Sequence, residues 1–171
     1  MIAAFDAWYD QQKARTACVL FHDWTDEQPA QVISDVIDAP ADYEPGAFYK
    51  RELPCILHLL DQLALTETDL IIIDGYVVLN DQGALGLGGR LYELLDPKIP
   101  VIGVAKTHFA GNDLLTRPVF RGQSEKPLYV SAVGIDLDVA SSCVEKMAGP
   151  YRVPTLLKFL DQVSKQPIPE D

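Results

Sequence analysis

The chain has 171 residues, enough for one domain with a substantial core. Hydrophobic residues make up 48%, ordinary for a globular protein, and no apolar run reaches the roughly 18 residues of a membrane span. The formal charge of −11 argues against a broad basic surface, so any phosphate contact is expected to be local, salt-sensitive or bridged by metal ions.

No basic n-region followed by an apolar h-region opens the chain, so no secretory signal is expected. Cys18, Cys55 and Cys143 are scattered and form no CxxC pair, which disfavours zinc and redox chemistry. Reduced thiols and a cytoplasmic location are the expectation. Neither an internal repeat nor a low-complexity stretch interrupts the sequence. We expect residues 1–165 to form one domain and 166–171 a polar, flexible tail.

Ile2 to Trp8 is short and apolar and reads as a strand. Thr16 to Trp24 reads as a second, with Gln11-Gln12-Lys13 as the hairpin loop, and Val32 to Ile37 as a third. An antiparallel meander is therefore expected. The stretch from Ala39 to Gly46 carries two prolines and reads as a stiff loop.

From Phe48 to Leu65 the apolar period becomes helical, through Leu53, Ile56, Leu57, Leu60 and Leu63 or Ala64. Pro54 fits only near the start of that helix. Leu70 to Asp74 is a continuous apolar run, the pattern of a strand buried on both faces. A glycine-rich stretch from Gly83 to Gly89 leads into a short helix near Arg90 to Leu95. Val101 to Ala105 is another buried strand. Val119 to Arg121 and Leu128 to Ala132 suit a hairpin. Asp138 to Ala148 and Pro154 to Ser164 suit closing helices, with Asp138 as a cap or first-turn acid. A meander followed by helix–strand alternation predicts an α/β fold, a mixed β-sheet flanked by helices.

Three acids sit where an acid needs a reason. Asp6 lies inside the first strand, sharing a face with Ala4 and Trp8. Asp74 ends the run Leu70-Ile71-Ile72-Ile73. Glu52, in the first turn of the long helix, is four residues before Ile56 and so on its inward side. Carboxylates brought together repel unless protonated or joined by a cation. Hard oxygen donors select Mg²⁺ or Mn²⁺ over zinc, and such ions activate water against phosphodiesters. The plain alternative is that Asp6 caps a turn, Glu52 favours a helix N-terminus and Asp74 closes a strand.

The segment Tyr43-Glu44-Pro45-Gly46, with Phe48-Tyr49-Lys50-Arg51-Glu52-Leu53-Pro54, resembles the endonuclease V signature Tyr-x-Pro-Gly followed by Phe-Arg-Glu-x-Pro. Ile72-Ile73-Asp74-Gly75 resembles that family's Val-Asp-Gly. Ile99-Pro100-Val101-Ile102-Gly103-Val104-Ala105-Lys106 resembles its Pro-x-x-Gly-Val-Ala-Lys, and Pro150 to Pro154 agrees more loosely. Asp6 resembles its first catalytic Asp.

The resemblance implies a ribonuclease H-like fold and Mg²⁺-dependent cleavage of DNA or RNA near deaminated purines such as inosine, with Mn²⁺ as a substitute. It implies that Asp6, Glu52 and Asp74 hold the metal and that Lys106 approaches the scissile phosphate or the attacking water. It implies a strand-parting wedge at Asp42 to Gly46, where Tyr43 and Pro45 meet the substrate, and backbone groups around Gly46 and Gly75 that line the pocket of a flipped base. The expected partner is a single-stranded or modified nucleic acid, with no membrane.

Departures from the pattern carry their own expectations. Asp42 and Glu44 put two carboxylates into the wedge. Val77 replaces a glycine, Asn80-Asp81 stand near the family's His-Pro-Arg, and Ala132-Val133-Gly134 lacks a Gly-His pair. Asp136 or Asp138 is a candidate substitute acid. The chain starts almost at its first strand, which implies a shortened form without the family's N-terminal helical extension. A catalytically degenerate relative that binds a protein or small ligand is the second reading. The glycine-rich turn raises a third, nucleotide binding at a helix N-terminus, although no G-x-G-x-x-G or Walker lysine is present. Its alternative is close helix packing. No G-x-S-x-G elbow supports a serine hydrolase. His22, His58 and His108 read as structural, and Trp8 and Trp24 as core or rim residues.

Overall fold

The computed structural model describes residues 1–40, 42, 44, 45, 47 and 49–169. The chain opens with β1 (Ile2–Asp10), β2 (Lys13–Phe21) and β3 (Gln31–Asp38), then α1 (Tyr49–Leu60). A short 3₁₀ turn at Leu65–Glu67 leads to β4 (Leu70–Asp74), α2 (Leu87–Leu94) and β5 (Val101–Ala105). β6 (Arg117–Val119), β7 (Leu128–Val133), α3 (Leu137–Lys146) and α4 (Thr155–Ser164) complete the chain. Strand order in the seven-stranded sheet is β3-β2-β1-β4-β5-β7-β6. The expected α/β, ribonuclease H-like mixed sheet flanked by helices is what forms.

The antiparallel meander is present, as is the β6–β7 hairpin. The β1–β2 turn is tighter than expected. Only Gln11 and Gln12 lie outside the pairing, Lys13 already faces Asp10, and Gln11 takes φ +54°. At its far end β2 stops at Phe21, so His22 falls in a bend and Trp24 packs edge-on against Phe21 at 6.3 Å.

β4 and β5 are parallel to β1 and central, so both faces are covered. On one face Ala4, Val19, Ile72 and Ile102 pack against Val144 of α3 and Leu156 and Leu160 of α4. On the other, Phe5, Cys18, Ile71 and Ile73 pack against Ile56 and Leu59 of α1 and Leu91 of α2. Cys18 and Cys55 are buried free thiols, and Cys143 is a free thiol partly exposed. No helix among the described residues is long and apolar enough to cross a membrane.

α1 departs from expectation at both ends. It stops at Leu60, leaving Leu63 and Ala64 in the following turn, and Pro54 is its sixth residue. A proline there removes the N–H that would reach the carbonyl of Lys50. Lys50 is exposed, so water can take that carbonyl's bond. The cap of α3 is Asp136, whose side chain accepts from the N–H groups of Asp138 and Val139, both at 3.0 Å. Asp138 is the first-turn acid.

The glycine-rich turn serves packing. A Cβ on Gly86 would lie 2.4 Å from the Tyr76 carbonyl oxygen, and one on Gly89 would lie 2.6 Å from that of Val77. The N–H groups of Gly88 and Gly89 donate to those same carbonyls, both at 3.1 Å. Donors at the start of α2 that could bind an anion are thereby used, which removes the structural basis for the nucleotide-binding reading.

Arg121 organises the turn before α4. It is only 5% exposed, and its guanidinium donates to the carbonyls of Tyr151 (2.7 Å), Gly149 (3.1 Å) and Met147. Replacing it strands several buried acceptors at once. Arg121→Met is expected to cost about 3 kcal/mol in chemical denaturation, and Arg121→Lys most of that, because an ammonium cannot span the same fork.

Candidate metal and nuclease site

Strand register builds the centre of the site. β1 and β4 run parallel with Phe5 opposite Ile73, so the next residues, Asp6 and Asp74, stand side by side at the end of the pairing. Alternation along each strand puts them on the α4 side, with Ala4 and Ile72. Asp74 in turn pairs with Val104 of β5, and Lys106 lies two residues further on the same face. Carboxyl ends of parallel strands are where open α/β sheets gather their functional groups. Gly75 follows β4 at φ +133°, a conformation that favours glycine.

Glu52 arrives from α1, on the opposite layer. Its carboxyl is pushed up to about 8, first by burial and then by the charges of Asp6 and Asp74. Asp6 is pushed up to about 6 by burial and by Asp74, against a lowering bond from Ser164. Burial and Asp161 also raise Asp74, and Lys106 draws it back down. The three predicted carboxylates therefore sense one another.

Asp6 and Asp74 also have local ties. The Ser164 hydroxyl donates to Asp6 at 2.6 Å, and the N–H of Ala7 donates to its other oxygen at 2.9 Å. Lys106 Nζ lies 3.6 Å from Asp74 and 3.6 Å from Asp161. Among the described residues no three His, Cys, Asp or Glu side chains are drawn into a closed metal-ligating cluster. The donor set nonetheless suits a hard divalent ion. Its oxygens are carboxylate, burial and neighbouring carboxylates raise Asp6, Glu52 and Asp74 above the usual carboxylate range, and Lys106 lies within 3.6 Å of both Asp74 and Asp161.

Asp161 and Ser164 are the site residues that sequence reasoning missed. Both sit on α4, and Asp161 is held below the usual carboxylate range. Burial alone would raise it, but bonds and charges from Lys165 (2.8 Å) and Lys106 outweigh that. The acids suggested instead are elsewhere: Asp136 caps α3, and Asp138 pairs with Arg117 at 3.0 Å. That expectation is corrected, because the helix those acids begin packs against β6 and β7.

Beside the carboxylates lies a cavity of about 380 Å³, walled in part by Tyr49, Glu52, Gly75, Tyr76 and Phe109. Gly75 is thus at the cavity. Pro45 is exposed in the preceding loop and is not among the described residues lining it. Tyr43 and Gly46, the other two expected substrate contacts, lie outside the described residues. Glu44, one of the two wedge acids, pairs with Lys50 at 2.8 Å. Val77 is buried, and its N–H donates to the Ser131 hydroxyl at 2.8 Å, so it faces the core. His58 pairs with Asp35 on the surface at 2.8 Å, and His108, which pairs with Asp113 at 2.8 Å, also lines the cavity.

No curated protein sequence matches the chain significantly. Among solved structures, human ENDOV superposes with a TM-score of 0.74 at 24% identity, covering 96% of this chain and 82% of that one. Endonuclease V of Ciona intestinalis, in complex with a 24mer DNA containing an inosine followed by a ribo-adenosine, gives 0.78 at 19%, covering 96% and 83%. Argonaute of Marinitoga piezophila, in complex with guide RNA and target DNA, gives 0.52 at 10%, covering 96% and 29%. These likenesses show the fold. The family model for endonuclease V matches residues 1–119, a stretch that carries Asp6, Glu52, Asp74 and Lys106, and the chain belongs to the endonuclease V family.

Proposed function

We propose that the protein is a Mg²⁺-dependent endonuclease, with Mn²⁺ as a substitute, acting on DNA or RNA that carries a deaminated base of the inosine type. The observation that supports this reading is the pair Asp6 and Asp74 at adjacent strand ends, with Lys106 3.6 Å from Asp74 and Glu52 on the wall of the cavity that Asp74 also lines. A bound divalent ion supplies the positive charge that activates water and steadies the leaving oxygen of a phosphodiester. Asp6, Glu52 and Asp74 hold that ion, with Asp161 as a further acid on the α4 side. Lys106 orients Asp74 and offers an ammonium to the phosphate. The cavity beside Gly75 and Tyr76 takes the extruded base. Lys50 screens Glu44 and so weakens the repulsion between the wedge and phosphate. The free thiols fit a reducing, cytoplasmic setting.

The test is cleavage of a labelled inosine-containing single strand with Mn²⁺ at low salt, beside a strand without inosine. Cutting directed to inosine is the expected result. Equal cutting of both strands would remove the base specificity and leave the nuclease. No cutting of either would move the protein to the second reading, a family member retained for binding.

A further inference from the structure

On the α4 side of the carboxylates, Asp6, Asp74, Lys106 and Asp161 edge a small recess of about 30 Å³ that reaches into the core. Lys106 and Asp161 also line a neighbouring hollow of about 270 Å³, with Tyr151, Arg152 and Lys158. Tyr151 and Lys158 then line a third, which ends at Glu27, Gln28 and Pro29. The second hollow thus lies between the carboxylates and the third, sharing Lys106 and Asp161 with one and Tyr151 and Lys158 with the other.

Its far wall is unusual for so acidic a chain. Tyr151 is 67% exposed, and its ring lies under the Lys158 ammonium at 5.7 Å. Lys158 and Asp161 share a face of α4 at helical spacing. Asp161 is engaged by Lys165 and Lys106, whereas Lys158 has no acidic partner among the described residues. The Tyr151 backbone is fixed from beneath by Arg121. An exposed aromatic ring on a held backbone, beside an ammonium with no carboxylate partner among the described residues, offers what a nucleotide needs: a face for its base and a charge for its phosphate. All of it lies beyond residue 119, where the family match ends.

We infer that Tyr151 and Lys158 form a nucleotide station for a single strand running from the carboxylates along α4, with a base stacked on Tyr151 and a phosphate beside Lys158. The inference rests on the nuclease reading and adds the path of the strand. Glu27 closes the far end, where its carboxylate repels further phosphates.

The experiment measures binding of a short inosine-containing single-stranded DNA by anisotropy, with Mn²⁺, in the cleavage-silent Asp74→Asn background so that the strand stays whole. A single 2-aminopurine is moved along the strand. Its fluorescence is expected to be quenched at one position on one side of the inosine, and Tyr151→Ala is expected to abolish that quench. Tyr151→Ala weakens binding about tenfold, while Tyr151→Phe, which keeps the ring, stays within about twofold. Lys158→Gln lowers the slope of log affinity against log salt by about 0.7, the loss of one phosphate contact on a single strand. Unchanged affinity in Tyr151→Ala, with no position-specific quench, overturns the station. So does a background protein that binds no strand. Whether the wild-type protein cuts the inosine strand decides the nuclease reading separately.

Discussion

Asp74→Asn is expected to lower inosine-directed cleavage by about a thousandfold or more while leaving the fold intact, and Asp6→Asn to do the same. Charge stabilisation by a bound divalent ion is worth several kcal/mol in the transition state. At about 1.4 kcal/mol per tenfold, losing about 4 kcal/mol of it gives that factor. Asp74 is the last residue of β4 and Asp6 lies one residue beyond the β1–β4 pairing, so an amide of the same shape leaves the sheet in place, although Asp6→Asn gives up one of the two bonds from Ser164 and Ala7. Asp74→Asn also leaves Lys106 its second carboxylate, Asp161, at 3.6 Å. Single-turnover cleavage with excess enzyme and Mn²⁺, beside a thermal melt, separates chemistry from folding. Two variants that cut like the wild type would place the chemistry elsewhere. Two that melt far below it would show that the acids serve the fold.

Much of this site is legible in the sequence because strand geometry is local. An acid closing Leu70 to Ile73 can only stand at the strand's end, and one parallel neighbour is enough to bring Asp6 beside it. Lys106 follows from the same alternation along β5. The α4 contribution is not legible in this way. Ser164 meets Asp6 across 158 residues of chain. Which helix packs over which strand end depends on the whole topology, so Asp136 and Asp138, nearer in sequence to the strands, were the more visible acids. α1 shows another limit: the apolar period runs on through Leu63, but the backbone leaves the helix at Leu60. The glycine-rich turn is a third case. Composition raises anion binding beside close packing, and the missing G-x-G-x-x-G and Walker lysine only weaken the first. The backbone decides between them, by using the Gly88 and Gly89 N–H groups on Tyr76 and Val77.

Metal binding is expected to tighten steeply between about pH 6 and pH 8 and, at pH 7, to release about one proton, chiefly from Glu52. The carboxyl of Glu52 is pushed from 4.5 to about 8, so at pH 7 it is mostly protonated, whereas Asp6, at about 6, is mostly ionised. An ion that takes both as carboxylates must displace the Glu52 proton. The same shifts set the stability of the metal-free protein. Between about pH 4.5 and pH 8 the folded chain holds protons that the unfolded chain has released, so stability falls as pH rises through that window. The loss is on the order of several kcal/mol, and it levels off above the folded pKa of Glu52. Glu52→Gln removes the largest of these shifts and leaves that of Asp6. It is expected to melt higher than the wild type at pH 8 without metal, to match it near pH 4, and to bind Mn²⁺ more weakly with almost no proton release. Calorimetric titration of Mn²⁺ in two buffers of different ionisation enthalpy reads the proton count directly. A buffer-independent heat for the wild-type protein at pH 7 would mean that Glu52 is already ionised, or that it stands outside the metal site. A Glu52→Gln melt that still falls from pH 5 to pH 8 as the wild type does would mean that other acids carry the buried charge.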